Sequence, residues 1–249
     1  VAFAGHAQAQ AKGDAKHEDL FKNKRFPSAF ECQPCHPIQF RQWSVSQHSY
    51  ANLSPAFVSV ENSVKGKTNG TSGDTCSRCH APLAAVLDIM QLSNLKRAQF
   101  ARAGEDFLGP VIEGITCVVC HRQNKRFGKI SARMSIQEDP ILGPIFGPSN
   151  NEVQAETIKN AKLQLITTPD KKGRAIHRKV EQFFTHREPA FCGICHSSRL
   201  PTGFHNEETF DEYRTSQSAK DGVSCQDCHM GKVPGENKGF DKGPAAKIG

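Results

Sequence analysis

The chain has 249 residues, 32 Lys and Arg against 25 Asp and Glu, a formal charge of +7, and an apolar fraction of only 37 %. No run approaches the roughly 20 consecutive apolar residues that a membrane-spanning helix needs, which excludes such a span. The length would suit one or two ordinary domains, but a mean hydropathy of −0.52 leaves little side-chain material for a core.

Residues 1–16 are rich in Ala, Gln and Lys, have little to pack, and are expected to be a disordered tail. Their start, from Val1 to Ala11, resembles the end of a secretory signal with small residues at cleavable positions. The first motif, Cys32-Gln-Pro-Cys35-His36, is followed by His48, and the second is Cys76-Ser-Arg-Cys79-His80. Between 83 and 98, Leu83, Val86, Leu87, Met90 and Leu95 approximate one apolar face and predict a helix. The third motif is Cys117-Val-Val-Cys120-His121. Residues 129–136 and 162–167 alternate weakly and predict short strands. The Pro- and Gly-rich stretch between them, 139–151, predicts a loop. Ile176, Val180, Phe183 and Phe184 predict a helix over 176–184 carrying His177, with His186 just beyond. The fourth motif, Cys192-Gly-Ile-Cys195-His196, precedes His205 and a short helix with Phe210 and Tyr213. The fifth is Cys225-Gln-Asp-Cys228-His229, and 231–249 is a Gly-, Lys- and Pro-rich tail without periodicity.

Five copies of Cys-x-x-Cys-His consume all 10 cysteines. This motif is the attachment site of c-type haem: two thiols add to the vinyl groups of one macrocycle and the following imidazole meets the iron. Structural zinc, disulfides and a thioredoxin-like pair are the alternatives. Zinc does not require His directly after the second Cys, and a redox pair would not recur five times with no Cys left over. Five covalent haem c groups in 249 residues leave about 50 residues for each. The macrocycles must then be the core. The expected fold is mainly α, with much irregular loop and a few short strands around a stacked chain of haems, and residues 1–249 form one unit.

The haems also change the charge. A ferric haem with neutral ligands and two ionised propionates contributes about −1, because carboxylates ionise well below neutral pH. Five of them bring the formal +7 down to about +2, and full reduction to about −3. Nucleic acid is therefore a poor partner, and some Lys and Arg side chains are expected to pair with propionates.

Each motif His supplies one ligand: His36, His80, His121, His196 and His229. His6, His17, His48, His177, His186 and His205 remain. The last five match the demand for five sixth ligands, while His6 reads as solvent-exposed. His48 lies 12 residues after His36, about 18 Å apart on a continuous helix. It is therefore assigned to a different haem. His177 equally suits a core position. Met90 reads as helix core, and Met230 follows a proximal His too closely to reach the opposite face of the same iron. All-His ligation predicts low potentials.

The run from Cys32 through Trp43 to His48 resembles a pattern of a multihaem cytochrome family that includes the tetrahaem cytochrome c serving hydroxylamine oxidoreductase. Cys76-x-x-Cys-His-Ala-Pro82, Glu113-Gly-Ile-Thr-Cys117, Gly143-Pro-Ile-Phe-Gly-Pro148, Phe191-Cys-Gly-x-Cys-His196 and Phe210-Asp-Glu-Tyr with Gly222 to Met230 resemble it too. The likeness implies that His48 is a distal ligand and that haems form alternating parallel and perpendicular pairs. Five motifs rather than four depart from that pattern.

The expectation is an exported electron-transfer cytochrome, periplasmic or extracellular, meeting redox protein donors and acceptors or an extracellular acceptor. Some related chains polymerise into conductive filaments in which a terminal His ligates a haem of the next copy, a role open to His17. The rival reading is a reductase of a nitrogen or sulfur oxyanion at one five-coordinate haem. All five motifs end in His rather than Lys, and only Tyr50 and Tyr213 are available for a haem crosslink, which disfavours the known enzyme patterns.

Overall fold

Short helices dominate among the described residues because Pro follows the first two motifs directly and ends the helical turn there. The computed structural model describes residues 26–34, 36–87, 109–125, 132–148, 152, 155, 177–200 and 202–230. The expected tails, the strand at 162–167, His6, His17, Cys35 and most of the 83–98 helix lie outside the described residues.

The first helix, Ala29–Cys32, is closed by a capping box between Ser28 and Glu31. Three helices follow: Pro37–Ser44, Gln47–Tyr50 and Pro55–Lys67. Then come Ser77–His80 and Pro82–Val86. Gly109–Ile112 leads to Cys117–His121. Beyond a small parallel strand pair lie Pro189–Gly193, Thr209–Thr215, Gln217–Lys220 and Cys225–His229. The breaks after the first two motifs have one cause. His36 and Ala81 each precede Pro and adopt non-helical backbone, with φ −123° and −143°, because the pyrrolidine ring disfavours helix in the residue before it. The same prolines then start the next helix, where no N–H is needed.

The buried apolar cluster consists of Phe26, Ala81, Leu83, Ala84, Val111, Val118, Val119 and Ile136. It joins the segments around the second and third motifs. Nearby, Asn52 donates to the Val111 carbonyl at 3.1 Å and the Trp43 indole donates to Ile115 at 2.8 Å. The carboxylate of Glu113 accepts from Ser28 Oγ, from the Ala29 N–H at 2.8 Å and from Thr116 Oγ1 at 3.0 Å. One half-buried side chain thus ties the helix before the first motif to the turn before the third.

Two expectations change. Residues 180–182 are a strand, not helix: Val180–Gln182 pairs in parallel with Ile145–Gly147, inside the expected loop. Bonds from Ile145 N to Lys179 O and from Phe183 N to Gly147 O, both 2.8 Å, flank that pairing. The non-local ladder overrides a helical spacing of apolar residues that also suits a half-buried strand. Around 129–136, the described residues show an isolated bridge between Gln123 and Ile136. The helix carrying Phe210 and Tyr213 is present as Thr209–Thr215. No described helix is long and apolar enough to cross a membrane.

Gly114 permits the closest backbone approach in this arrangement. Its φ is +66°, and a Cβ there would lie 2.4 Å from the His48 carbonyl oxygen, which accepts the Ile115 N–H at 2.9 Å. Gly114→Ala is expected to destabilise the protein by about 1–3 kcal/mol and to shift the His48 turn, measured as a lower denaturant midpoint at equal haem content.

Candidate haem-binding site

The motif turns present their thiols on one side. The N–H of His36, His80 and His196 bonds back to the first Cys carbonyl at 2.9, 3.2 and 3.0 Å. The third and fifth motifs are complete helical turns, Cys117–His121 and Cys225–His229. Cysteines three apart on a turn share a face. A capping box of Ser224 and Asp227 fixes the last of these turns. No described cysteine is in a disulfide.

The motifs converge. The Cys32 thiol donates to Ser28 O at 3.6 Å, and its pairing with Cys117 raises the Cys32 thiol and lowers that of Cys117. Pairing with Cys79 likewise raises the Cys195 thiol, and Cys79 is lowered. Burial, then the neighbouring Cys225, pushes Cys192 up to about 11. Burial, followed by the charges of Cys117 and Cys192, pushes Cys120 up to about 12. Motif one therefore meets motif three, motif three meets motif four, and motif four also meets motifs two and five.

Three of the expected spare histidines lie opposite motif histidines. The His36 and His177 rings have centroids 6.4 Å apart and planes 14° apart. His121 and His186 are 5.7 Å apart at 16°, and His48 and His196 are 6.2 Å apart at 51°. Imidazole–metal bonds of about 2.0 Å, with about 1 Å from nitrogen to ring centre, put two opposed rings about 6 Å apart across one metal ion. Ordinary aromatic pairs also span centroid distances of about 4.5–7 Å. The partners distinguish these three: each joins one motif ring to one ring from elsewhere. His48 is separated from His36 by the break between helices Pro37–Ser44 and Gln47–Tyr50, which turns it toward His196.

The surroundings of five of these rings, His36, His48, His121, His177 and His186, favour the neutral form, the state in which a nitrogen lone pair can ligate. Burial, then the charges of His177 and His121, pushes His36 down to about 4. Burial and then His121 push His186 down to about 4. Burial also lowers His48, His121 and His177. Backbone carbonyls orient the rings: His121 Nδ1 lies 3.0 Å from Phe146 O, and His177 Nδ1 lies 3.0 Å from Ile141 O. His80 Nδ1 is 3.3 Å from Ala51 O. The two nitrogens of His186 lie 3.1 Å from Phe183 O and 3.0 Å from Cys120 O. A neutral imidazole has one N–H, so only one of these two carbonyls accepts a hydrogen bond from His186.

The remaining histidines are placed differently. His80 stacks on Phe57 at 4.2 Å and 5°, a direct ring contact. His205 bonds through Nδ1 to Glu208 at 2.7 Å, on the antiparallel hairpin of Ser198–Arg199 with His205–Glu207, whose Glu207 charge acts on Cys79. His229 is exposed. Apolar side chains beside the motifs also lack cover from the polypeptide: Phe30 is 63 % and Met230 54 % exposed. The opposed rings, shared thiol faces and uncovered apolar groups fit haem attached at these turns. Sequence reasoning missed Phe57, Gly114 and Arg122. Only Gly114 carried a signal, as part of the Glu113-Gly-Ile-Thr-Cys117 run.

The fold and cysteine pattern are those of a multihaem c-type cytochrome with covalently bound haem. A family model described as cytochrome c554 and c-prime matches residues 31–122. The fold is similar to the crystal structure of a penta-heme cytochrome c552 from Thermochromatium tepidum, with a TM-score of 0.53 and 23 % identity. The similarity covers 84 % of this chain and 55 % of that one, so the chain spans about half the length of that cytochrome. No curated protein matches.

Because motif four touches three others, its loss should cost more than loss of motif five. Cys192→Ala with Cys195→Ala is expected to lower the denaturant midpoint further than Cys225→Ala with Cys228→Ala. Intact mass should verify that each variant lacks one haem.

Proposed function

We propose that this chain is an exported pentahaem c-type cytochrome whose function is electron transfer, working in the periplasm or outside the cell. The observation that carries the reading is the threefold recurrence of a motif imidazole opposed to a distant imidazole at 5.7–6.4 Å. Bound haem supplies reversible one-electron iron chemistry. The chain's own residues anchor, orient and space it.

In this reading the five cysteine pairs would each hold one haem through thioethers. His36 with His177, His121 with His186, and His196 with His48 are the pairs that would hold iron. The Nδ1 carbonyl bonds of His121 and His177 hold their Nε2 lone pairs toward the metal side and raise ring basicity. The motif contacts support an order from motif one through three to four, with branches from four to two and five. His205 is assigned to motif two because its hairpin lies beside Cys79. His17 is assigned to motif five, from the same chain or from a neighbouring copy. The second form would generate a filament, since a head-to-tail contact that does not close propagates.

One observation favours a second reading. Phe57 covers a face of His80, and among the described residues no imidazole opposes that ring. An open iron at motif two would support reduction of a nitrogen or sulfur oxyanion.

Low-temperature EPR of the oxidised protein separates these readings. Electron transfer predicts five low-spin haems, with one high-spin haem appearing in His48→Ala and one in His205→Ala. A high-spin haem in the native protein, unchanged by His205→Ala, would favour the reductase. Negative-stain images of the same sample should show filaments for intermolecular ligation and single particles for a discrete carrier.

A further inference from the structure

One turn of the chain serves two motifs. The helix Gln47–Tyr50 carries His48, whose ring stands 6.2 Å from that of His196 in motif four. The next residue, Ala51, places its carbonyl 3.3 Å from Nδ1 of His80 in motif two. Phe57 covers a face of the same ring at 4.2 Å, so the carbonyl and the phenyl ring together fix its plane. A neutral imidazole that ligates through Nε2 carries its proton on Nδ1 and donates it to such a carbonyl. The acceptor makes the ligating nitrogen more basic.

The turn is held by backbone and by a buried amide. The Ile115 N–H donates to the His48 carbonyl at 2.9 Å. Asn52, 2 % exposed, donates from Nδ2 to the Val111 carbonyl at 3.1 Å. Gly114 lies against the turn: a Cβ there would meet His48 O at 2.4 Å, and Ala51 N and Ser49 O at 3.3 Å. These are backbone atoms, which cannot rotate aside as a side chain can, so the turn moves as a unit. Moving it redirects the His48 ring and changes the Ala51–His80 bond together. The carbonyls at His121 and His177 come from Phe146 and Ile141, in another segment. Resting on the haem ligation proposed above, we propose that the turn from His48 to Ala51 links the haems of motifs four and two. It supplies the distal imidazole of the first and the carbonyl that tunes the motif imidazole of the second. Gly114 and Asn52 are positioning residues for both.

Haem-resolved redox titration and low-temperature EPR of the holoprotein test this link. The motif-four haem is the one that turns high-spin in His48→Ala. The motif-two haem is the one missing from Cys76→Ala with Cys79→Ala. Gly114→Ala should lengthen the Ala51–His80 bond and so withdraw support from the ferric form of the motif-two haem. Its ferric-to-ferrous ratio at fixed electrode potential should fall about fivefold, equivalent to about 41 mV for one electron. In the same sample the g values of the motif-four haem should shift, because they follow the angle between the two imidazole planes. The haem between His36 and His177 should change less than about twofold. Asn52→Leu removes the other anchor and should reproduce this pattern, which keeps the test available if Gly114→Ala does not mature. A general loss of packing would lower the denaturant midpoint without pairing these two haems. A change at one of them without the other, at neither, or equally at the His36–His177 haem would overturn the link. Absence of covalent haem from denatured protein would instead overturn the haem reading itself.

Discussion

The opposition of two imidazoles across a gap of about one metal ion organises the described structure. Phe57 and His80 provide the contrast within the same chain, because at 4.2 Å and 5° their rings are in direct contact. His36 and His177 are almost as parallel but stand 6.4 Å apart. Each opposed pair joins segments far apart in sequence. Residues 36 and 177, 121 and 186, and 48 and 196 are brought together although few apolar side chains bind their segments to one another. Cross-ligation in the proposed cytochrome would supply the long-range connectivity that larger proteins obtain from a continuous side-chain core.

Polar clamps supplement those connections. Glu113 illustrates the balance: burial raises its carboxyl, while the Ala29 N–H and the Ser28 and Thr116 hydroxyls stabilise its charged form. The buried location is therefore usable only because several donors converge on it. Trp43 and Gly114 contribute from the opposite direction, one by an indole hydrogen bond and the other by allowing backbone contact with His48. Together these groups align motifs one and three with the helix that bears the ring facing motif four.

Much of this was legible wherever local chemistry dominated. The motif spacing dictates a turn, Pro37 and Pro82 restart helices after motif residues, and Phe210 with Tyr213 marks a real helix. The longest helix among the described residues, Pro55–Lys67, was not legible despite its Ser54 cap and Pro at the start. Its weak apolar periodicity hid it. Val180 misled for another reason: its strand depends on Ile145 across the fold, which local spacing cannot reveal. The opposed histidines are intermediate. Composition supplied enough spare imidazoles, but which ring faces which depends on the break at Val45 and Ser46 and on distant carbonyls such as Phe146 and Ile141.

The branched motif contacts bear on where electrons would enter and leave the proposed cytochrome. Motif four is enclosed by two, three and five, so it is a junction rather than a terminus. Motifs one, two and five are the ends. Motif one is anchored through Glu113 and half-buried at His36, and His80 of motif two is covered by Phe57. Motif five differs: Cys228 and His229 are exposed, as is the neighbouring Met230. A redox partner could approach that end without displacing the packed segments around the others.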